Sequence, residues 1–242
     1  MMVTGQTHLG LVRENNQDAM DYGTLSENAQ YGVVCDGMGG ANGGNIASEI
    51  AVGIIGSRIR DGFSAEQNGN WAEHRLESAM AAANIGVFDR AQQQPELSGM
   101  GTTVVAAITC GHTAYISHVG DSRLYLFRDD TLQQITRDHS VVQDMIESGQ
   151  ITEEQAKSHP RRHFITRALG VTDNESGEYD ELELQAGDRL LLCTDGLTNM
   201  VDTGAMLQLL KQPAKAAAEA LVQAALDGGG TDNITVLLMD VD

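Results

Sequence analysis

The chain has 242 residues, and 15 lysines and arginines against 34 aspartates and glutamates give it a formal net charge of −19. Its length suits one large or two small folded units, and 41% hydrophobic against 20% charged residues excludes a disordered or fibrous protein. The acidic balance argues against nonspecific nucleic acid binding and against docking on an anionic membrane, because both need clustered lysine and arginine.

The apolar residues follow two periods along the chain. Short runs rich in valine, isoleucine, leucine and threonine predict strands, and apolar residues spaced by three or four predict amphipathic helices. In chain order, strands are predicted at 31–35, 102–108, 114–119, 123–127, 189–193 and 233–239, and helices at 46–59, 72–87 and 214–225. Tight links such as VGDSR between the middle strands favour an α+β sandwich of antiparallel sheets over parallel βαβ units.

The stretch from about Asp138 to Val171 differs from the rest of the chain. It is polar, contains the basic cluster Arg161-Arg162-His163, and is expected to form short helices. A long insertion between strands is usually a functional or mobile segment. We therefore predict a single domain over residues 1–242 with a flap at about 138–171.

Two features of the sequence concern the compartment. The N-terminal MMVTGQTHLG lacks the basic and apolar regions of a signal peptide, and no apolar run approaches the ~20 residues of a membrane helix. Cys35, Cys110 and Cys193 are far apart, which predicts buried thiols in a reducing compartment and neither disulfides nor a zinc site. We expect a cytoplasmic monomer without a membrane or nucleic acid partner.

Four aspartates lie at the ends of predicted strands, three of them next to a glycine and Asp232 separated by one residue from a run of three glycines. Asp36 follows YGVVC, Asp195 follows LLLCT, Asp232 precedes the last strand, and Asp121 lies in VGDSR. Taken singly, such a residue is typical of a turn. Converging carboxylates, however, repel one another unless a cation joins them, and Mg²⁺ or Mn²⁺ prefers oxygen ligands. The set as a whole indicates a divalent metal site.

Two further segments bear on phosphate binding. Arg13, in GLVRENNQD, is a natural bidentate partner for a phosphate, although an isolated arginine is more often a surface residue. The glycine-rich run 37–44, GMGGANGG, has neither the lysine of a P-loop nor the spacing of a dinucleotide fingerprint. We interpret it as flexible backbone between Asp36 and the first helix.

Six motifs in a fixed order carry a family resemblance. From residue 10 to residue 239 they are GLVRENNQD, VVCDGMGG, MGTT, HVGDSR, LLLCTDGLTN and GGTDNITV. This series resembles the PPM/PP2C family of metal-dependent protein serine/threonine phosphatases, and most of all its short bacterial single-domain members. The resemblance implies a four-layer α-β-β-α sandwich of two antiparallel sheets flanked by helices.

The resemblance also implies a set of metal ligands. Asp36 would bridge two tightly bound Mg²⁺ or Mn²⁺ ions, with the Gly37 carbonyl at one of them, and Asp195 and Asp232 would ligate the second. Asp121, together with Asp195, would hold a weaker third ion. A hydroxide bridging the metals would attack the phosphorus in line.

Other matching residues would act around the metals. Arg13 would bind the substrate phosphate and, with Asp36, Asp195 and Asp232, form the catalytic set. Gln17 and Asp18 would act through waters on the metals. Asn233 would support Asp232.

Histidines raise a separate question, because many family members have a histidine where this chain has Met38, and bacterial relatives often have one at Ala41. Methionine cannot transfer a proton, so the acid for the leaving group is open. His163, after Arg161 and Arg162, matches a flap histidine proposed to influence catalysis or substrate access; the alternative is a solvated flap residue. Structural roles are expected for two others, His118 in its strand and His139 at a helix start.

These observations predict a protein serine/threonine phosphatase that acts on phosphoproteins and reverses a cognate bacterial kinase. One alternative is a hydrolase of small phosphate esters, although the Asp-x-Asp of haloacid dehalogenases is absent at Asp36. Another is a regulatory phosphoprotein-binding module, which would typically lack metal-site aspartates. Those aspartates are all present here.

Overall fold

Eleven strands and seven α-helices make up the part of the chain that the computed structural model describes, residues 1–63 and 69–242. The strands are β1 (Met2–His8), β2 (Asp18–Ser26), β3 (Ala29–Met38), β4 (Gly101–Thr102), β5 (Val104–Cys110), β6 (Thr113–Val119), β7 (Arg123–Arg128), β8 (Thr131–Gln134), β9 (Glu178–Glu183), β10 (Arg189–Cys193) and β11 (Ile234–Asp240). The helices are α1 (Gly40–Gly62), α2 (Gly69–Gln93), α3 (Val141–Glu147), α4 (Glu153–Lys157), α5 (Asp195–Thr198), α6 (Thr203–Leu209) and α7 (Ala214–Asp227).

The strands form two antiparallel sheets. One has the order β1-β11-β10-β7-β8, and the other has the order β2-β3-β5-β6-β9 with β4 paired to β3. Neighbours in the middle of the chain, such as β5 and β6, pair as hairpins, with Cys110 opposite Thr113 next to the turn. The antiparallel arrangement predicted from the short links is confirmed.

Apolar side chains fill three layers between these elements. The inner layer lies between the sheets and includes Val34, Val105, Leu124, Leu190 and Leu237. One outer layer joins the second sheet to α1 and α2, and the other joins the first sheet to α5, α6 and α7. The four-layer α-β-β-α sandwich is therefore confirmed.

Helices α2 and α7 bury the faces that their spacing predicts, whereas Ile46, Ile50 and Ile54 on the predicted face of α1 are only partly buried. On α2 the stripe of Ala72, Leu76, Met80, Ala83 and Val87 is buried, as expected for an amphipathic helix against a sheet. The apolar stripe of α7 is buried as well, and it consists of Ala214, Ala217, Leu221, Val222 and Ala225. Among the described residues, no helix combines the length and apolar character needed to cross a membrane.

Four strands and two helices were not predicted. β1, β2, β8 and β9 are half-exposed and lack a continuous apolar run. β9 is the clearest case, because its sequence EYDELE is mostly acidic and exposed. It is an edge strand held by backbone pairing to β6, and charges on an edge discourage further pairing.

The segment between β8 and β9 contains the two short helices predicted for it. Ser140 caps α3 by accepting a hydrogen bond from the backbone of Gln143, and Thr152 and Gln155 form a capping box on α4. Isolated bridges from Ser140 to Ile165 and from Thr102 to Leu169 fasten the segment to itself and to the body.

The three cysteines are free thiols. Cys35 and Cys193 are buried in strands, and Cys110 is half-buried. Burial raises the pKa of the Cys193 thiol to about 12. Burial raises the pKa of Cys35 as well, so the thiols of Cys35 and Cys193 are protonated and unreactive at neutral pH.

Candidate active site

The strand ends that carry the predicted aspartates meet at one edge of the sandwich. In the β2–β3 pair, Asp18 lies directly opposite Asp36. Asp195 begins α5 immediately after β10, and Asp232 precedes β11, the neighbour of β10. Asp121 lies in the turn from β6 to β7. Both sheets thus contribute carboxylates to a single cluster, which we call the carboxylate cluster.

The carboxyl groups of the cluster raise one another's pKa values. Burial, followed by repulsion from Asp18 and Asp195, raises the pKa of Asp36 well above its usual range. Burial and the charge of Asp195 raise the pKa of Asp121 to about 7. The pKa of Asp195 is raised by burial and by Asp232, and its side chain shares a hydrogen bond with Asp36. These carboxyls crowd one another in the absence of a cation.

Asp18 provides the most direct test of whether a cation fits. Its side chain is buried, and burial raises its pKa to about 7 even though hydrogen bonds from Thr235 and Thr194 oppose the shift. The Thr194 hydroxyl donates to Asp18 Oδ2 at 2.9 Å. Asp18 Oδ1 is buried without a hydrogen-bond partner among the described residues. An unpaired buried oxygen beside further carboxylates matches the oxygen-rich surroundings that Mg²⁺ and Mn²⁺ prefer.

Two threonines of the MGTT motif fix the backbone of Asp36. The Asp36 amide donates to Thr103 Oγ1 at 3.1 Å, and the Asp36 carbonyl accepts from the Thr103 amide at 2.9 Å and the Thr102 hydroxyl at 2.9 Å. Thr103 Oγ1 also lies 2.7 Å from the hydroxyl of Ser122, the neighbour of Asp121. The motif therefore links two of the candidate ligand positions.

Gly37 is surrounded so closely that no larger residue fits. Its amide donates to the Gln17 carbonyl at 2.9 Å. A Cβ at Gly37 would lie 1.9 Å from the carbonyl oxygen of Gly44, at the start of α1. A Cβ at Gly44 would in turn lie 2.6 Å from both Gly37 O and Gln17 Nε2. The backbone after Asp36 and the Gln17 side chain are thus packed together at the edge of the cluster.

Asn233 joins the N-terminal segment to the loop of Asp232. Its Oδ1 accepts from the Gln17 amide at 2.8 Å, and its Nδ2 donates to the carbonyls of Leu9 at 2.8 Å and Asn15 at 3.0 Å. Its backbone amide donates to Asp232 Oδ1 at 2.9 Å. The side chain therefore holds residues 9–17 in place, and only the backbone of Asn233 supports the Asp232 carboxylate.

Arg13 projects from this N-terminal segment over the cluster. Its Nη2 donates to Asp232 Oδ2 at 2.8 Å, and half of the side chain is exposed. The hydrogen bond to Asp232, with charges of Asp36 and Asp195 further away, raises the pKa of Arg13. The loop approaches closely because Gly10 has φ of +83°, where a Cβ would lie 2.1 Å from Asp232 O.

The flap brings one of its three candidate residues to the cluster. The charge of His163 lowers the pKa of Asp195, so this exposed histidine lies within electrostatic reach of the carboxylates. Arg161 and Arg162 are exposed on the same turn, and Arg161 Nη2 contacts Met145 Sδ of α3 at 3.6 Å. In this arrangement Arg161 faces α3.

Sequence reasoning missed a network that attaches the flap to the body. His118 and His139 are buried and stacked with ring centroids 4.7 Å apart. His118 Nε2 donates to the Arg137 carbonyl at 2.7 Å, and His139 Nδ1 accepts from the Gly120 amide at 3.1 Å. His139 Nε2 lies 3.0 Å from Glu178 Oε2. The rings carry hydrogen bonds between elements, which fits the structural roles expected for both.

A salt bridge next to this network was also missed. Asp138, at the flap entry, accepts from Arg123 Nε at 2.8 Å and from Nη2 at 2.6 Å. Arg123 belongs to the HVGDSR motif, and Asp138 begins the predicted flap, but nothing in the sequence indicates that the two residues pair. Arg123 follows Asp121 by two positions. The salt bridge therefore joins the start of the flap to the β6–β7 turn that carries Asp121.

Comparison with known proteins defines the class. The sequence profile described as protein phosphatase 2C matches residues 4–228. The serine/threonine phosphatase stp of Listeria welshimeri is 37% identical over 240 residues, which cover 97% of this chain and 94% of the relative. The serine/threonine protein phosphatase PstP of Mycobacterium tuberculosis is 39% identical over 233 residues, covering 96% of this chain. This chain spans only 43% of the length of PstP.

Solved structures agree with the sequence matches. The serine/threonine phosphatase Stp1 of Staphylococcus aureus superposes with a TM-score of 0.93 at 34% identity, over 99% of this chain and 94% of Stp1. The catalytic domain of PstP, in complex with two manganese ions, superposes with a TM-score of 0.87 at 35% identity, over 100% of this chain and 98% of that domain. The chain belongs to the protein phosphatase 2C family of metal-dependent serine/threonine protein phosphatases.

Proposed function

We propose that the chain hydrolyses phosphoserine and phosphothreonine in proteins with the help of divalent metal ions. The observation that carries the proposal is the convergence of five aspartates from both sheets beside Arg13, where the buried Asp18 Oδ1 has no hydrogen-bond partner in the described part of the chain. An anion-binding arginine at the edge of a cation site suits a phosphate ester, because the ester can contact both.

The assignment of the metal ligands is the one that the family resemblance implies. Asp36, the Gly37 carbonyl, Asp195 and Asp232 would hold two Mg²⁺ or Mn²⁺ ions, and Asp121 with Asp195 would hold a weaker third. The two manganese ions bound by the related PstP domain support the first part. When bound, such ions lower the pKa of water and polarise phosphoryl oxygens, which is the chemistry that phosphate hydrolysis needs.

The chain's own residues have separate tasks around these ions. Arg13 would orient the phosphate and offset the charge that builds on its oxygens, and the ion pair with Asp232 holds the guanidinium ready. Asp18 and Gln17 would orient water at the edge of the cluster. Asn233 keeps the Arg13 loop in position through its hydrogen bonds to residues 9–17.

The flap would contact the substrate protein. His163 is proposed to lie beside the phosphate, and Arg161 and Arg162 to meet the surrounding peptide. Support comes from the backbone hydrogen bonds that join Thr166 to His139 and His139 to Gly120, the neighbour of Asp121. Met38 cannot donate a proton, so the residue that protonates the leaving oxygen is not assigned.

The proposal extends to the domain organisation, the oligomeric state and the location of the protein. We propose a single catalytic domain with a flap at about 138–171, acting as a monomer on substrates of a serine/threonine kinase. Free buried thiols support a reducing compartment, and the cytoplasm is the proposed location. The contiguous inner core between the sheets supports the single domain.

Phosphate release in Mn²⁺ from a phosphothreonine peptide and from a small phosphate ester tests this function. The peptide should be hydrolysed with the higher kcat/KM, and Asp195→Asn should lower kcat/KM by at least roughly a hundredfold. The exposed Asp227 at the end of α7 provides a matched control, Asp227→Asn, expected to be active. Hydrolysis of the ester alone would favour a small-molecule phosphatase, and hydrolysis unaffected by Asp195→Asn would contradict the site.

A further inference from the structure

Exposed large apolar side chains in the described part of the chain concentrate on loops beside the candidate active site. Five of the eight are Leu9, Leu11, Val12, Phe164 and Val171, and the others are Met2, Tyr22 and Ile85. An apolar group of this kind around a polar site is a mark of a binding surface. Four of these residues, Leu11, Val12, Phe164 and Val171, are called the apolar rim below.

The first side of the rim is fixed against the loop of Asp232. Leu11 and Val12 are each 65% exposed and directly precede Arg13. The Leu11 amide donates to the Gly230 carbonyl at 2.7 Å, and a Cβ at Gly230 would lie 3.0 Å from Leu11 Cγ. The backbone is therefore anchored, and the exposure of these side chains belongs to an ordered loop.

The second side of the rim is on the flap. Phe164 is 59% exposed and directly follows His163. Two residues further on, the Thr166 amide donates to the carbonyl of His139, and the His139 amide donates to the carbonyl of Gly120, the neighbour of Asp121. The Phe164 amide donates to the Arg161 carbonyl at 3.1 Å, and the Phe164 carbonyl accepts from the Val141 amide at 2.9 Å. The ring is thus presented outward from a backbone held at both its amide and its carbonyl.

The third side lies where the chain leaves the flap. Val171 is 48% exposed, and its Cγ2 lies 2.9 Å from the position of a Cβ at Gly101. Met38 Cε lies 3.1 Å from the same position. Met38 follows Asp36 by two residues, so Val171 and Met38 border the carboxylate cluster together.

We propose that the apolar rim binds apolar residues on either side of the phosphorylated threonine or serine of an extended peptide. The proposal rests on the function given above, since Arg13 and His163 then receive the phosphate between the sides of the rim. Apolar residues next to the phosphorylated residue would pack against the side chains of the rim and lose contact with water. Acidic flanks would be repelled by the net charge of −19, except at a position directly next to the flap arginines Arg161 and Arg162. The favoured substrate is therefore a phosphopeptide with apolar neighbours and few acids.

Three phosphothreonine peptides of equal length test the rim. One has leucine and valine next to the phosphothreonine, one has glycine and serine, and one has glutamate. With Mn²⁺ present, wild-type kcat/KM should be roughly tenfold higher for the apolar than for the glycine-flanked peptide, and lowest for the glutamate-flanked peptide.

A double variant, Val12→Ser with Phe164→Ser, then removes one apolar side chain from each of two sides of the rim. It should lose most of the preference for the apolar peptide, mainly through a higher KM for that peptide. Ile85→Ser on α2 is the matched control, because Ile85 is similarly exposed, at 52%, but lies outside the rim. The control should keep the wild-type ratio between the peptides.

The outcomes separate this proposal from the proposed function. Equal hydrolysis of the three peptides by the wild type, or an unchanged ratio in the double variant, would overturn the rim and leave the phosphatase activity in place. No hydrolysis of any peptide would contradict both. A wild-type dimer that the double variant converts to a monomer, measured by light scattering, would assign the patch to a second copy of the chain instead.

Discussion

At the scale of single residues, Asp18 shows how the fold prepares a cation site at a cost in stability. Its position opposite Asp36 in a β-pair places two carboxylates side by side, and Oδ1 has no partner among the described residues. Leaving a buried charged group unpaired destabilises the metal-free fold. Ion binding would remove that cost.

The pH dependence of the metal-free protein should reflect this cost. Asp18 and Asp121 have folded-state pKa values of about 7, above the ordinary value of 3.8. Between pH 3.8 and about pH 7 the folded state binds more protons at these carboxyls than the unfolded state does. The free energy of unfolding that they contribute therefore falls as pH rises through this range and levels off above about pH 7. Thermal unfolding in EDTA should therefore give a Tm several degrees lower at pH 7.5 than at pH 5. Added Mn²⁺ should raise the Tm most at pH 7.5.

An isosteric variant isolates the contribution of Asp18. Asp18→Asn removes the charge while keeping the shape, so the metal-free Tm at pH 7.5 should rise and the Mn²⁺-induced increase should shrink. A metal-free Tm that is independent of pH in the wild type would contradict the raised pKa values of these buried carboxyls.

Arg13 should act mainly on substrate affinity. Arg13→Ala removes a charged partner of the phosphate, and such contacts are worth about 1.5–3 kcal/mol, so KM for a phosphopeptide should rise roughly tenfold or more. Arg58→Ala on α1, which removes only a hydrogen bond to Ser78, is the control and should leave KM unchanged. Steady-state kinetics decide the matter, and a fall in kcat with KM unchanged would contradict a role in phosphate binding.

Residue identity predicted the charged residues of the site better than the threonines that hydrogen-bond to them. Asp36 and Asp195 could be identified because aspartate beside glycine at a strand end is chemically distinctive. Thr103 and Thr194 could not, because a threonine in a strand usually packs, and their hydroxyls become functional only through partners brought from distant strands.

At the scale of elements, the attachment of the flap depends on His139. Its backbone exchanges hydrogen bonds with the Gly120 carbonyl at 2.9 Å and the Thr166 amide at 2.8 Å. Its ring reaches Gly120 through Nδ1 and Glu178 through Nε2. One residue thus joins the flap, β9 and the turn that carries Asp121.

Two conservative variants each remove one of the two hydrogen bonds made by the His139 ring. His139→Asn keeps an acceptor close to Nδ1, and His139→Gln keeps a donor close to Nε2. Loss of the contact to Gly120 in His139→Gln should raise the Mn²⁺ concentration needed for half-maximal activity, because Asp121 is adjacent. Loss of the contact to Glu178 in His139→Asn should instead raise the KM for a phosphopeptide. Each variant should lose about 1–3 kcal/mol of stability.

His74→Asn is the control for both, since His74 is an exposed residue of α2. Equal changes in metal requirement and KM for the two His139 variants would mean that the ring only stabilises the fold.

Elements with a strong apolar period were predictable and edge elements were not. The stripe on α2 and the strand Arg189–Cys193 follow from local pattern, because each buries a continuous apolar face. β9 has no such pattern, and only pairing with β6 makes it a strand. Tertiary context therefore decides the edges of both sheets.

At the scale of the whole molecule, the two sheets serve to assemble one acidic edge. Ligand candidates come from β2 and β3 in one sheet and from the ends of β10 and β11 in the other, so the site depends on how the sheets stack. Sequence pattern predicted the layers and suggested that the strand-end aspartates converge on a metal, but the role of each residue followed only from the motif resemblance. The carboxylate cluster uses five of the 34 acids, and two or three divalent ions would offset about four to six charges. Most of the net charge therefore belongs to the surface.

The most direct test is the rate of phosphate release from a phosphothreonine peptide as Mn²⁺ is titrated into metal-free protein. We expect no measurable release in EDTA, saturable activation of the wild type by Mn²⁺, and the same activation of Asp227→Asn. Asp36→Asn, which alters the proposed bridging ligand, should show at least roughly a hundredfold less activity at saturating Mn²⁺. Full activity in EDTA, or wild-type activation of Asp36→Asn, would contradict the metal-dependent mechanism.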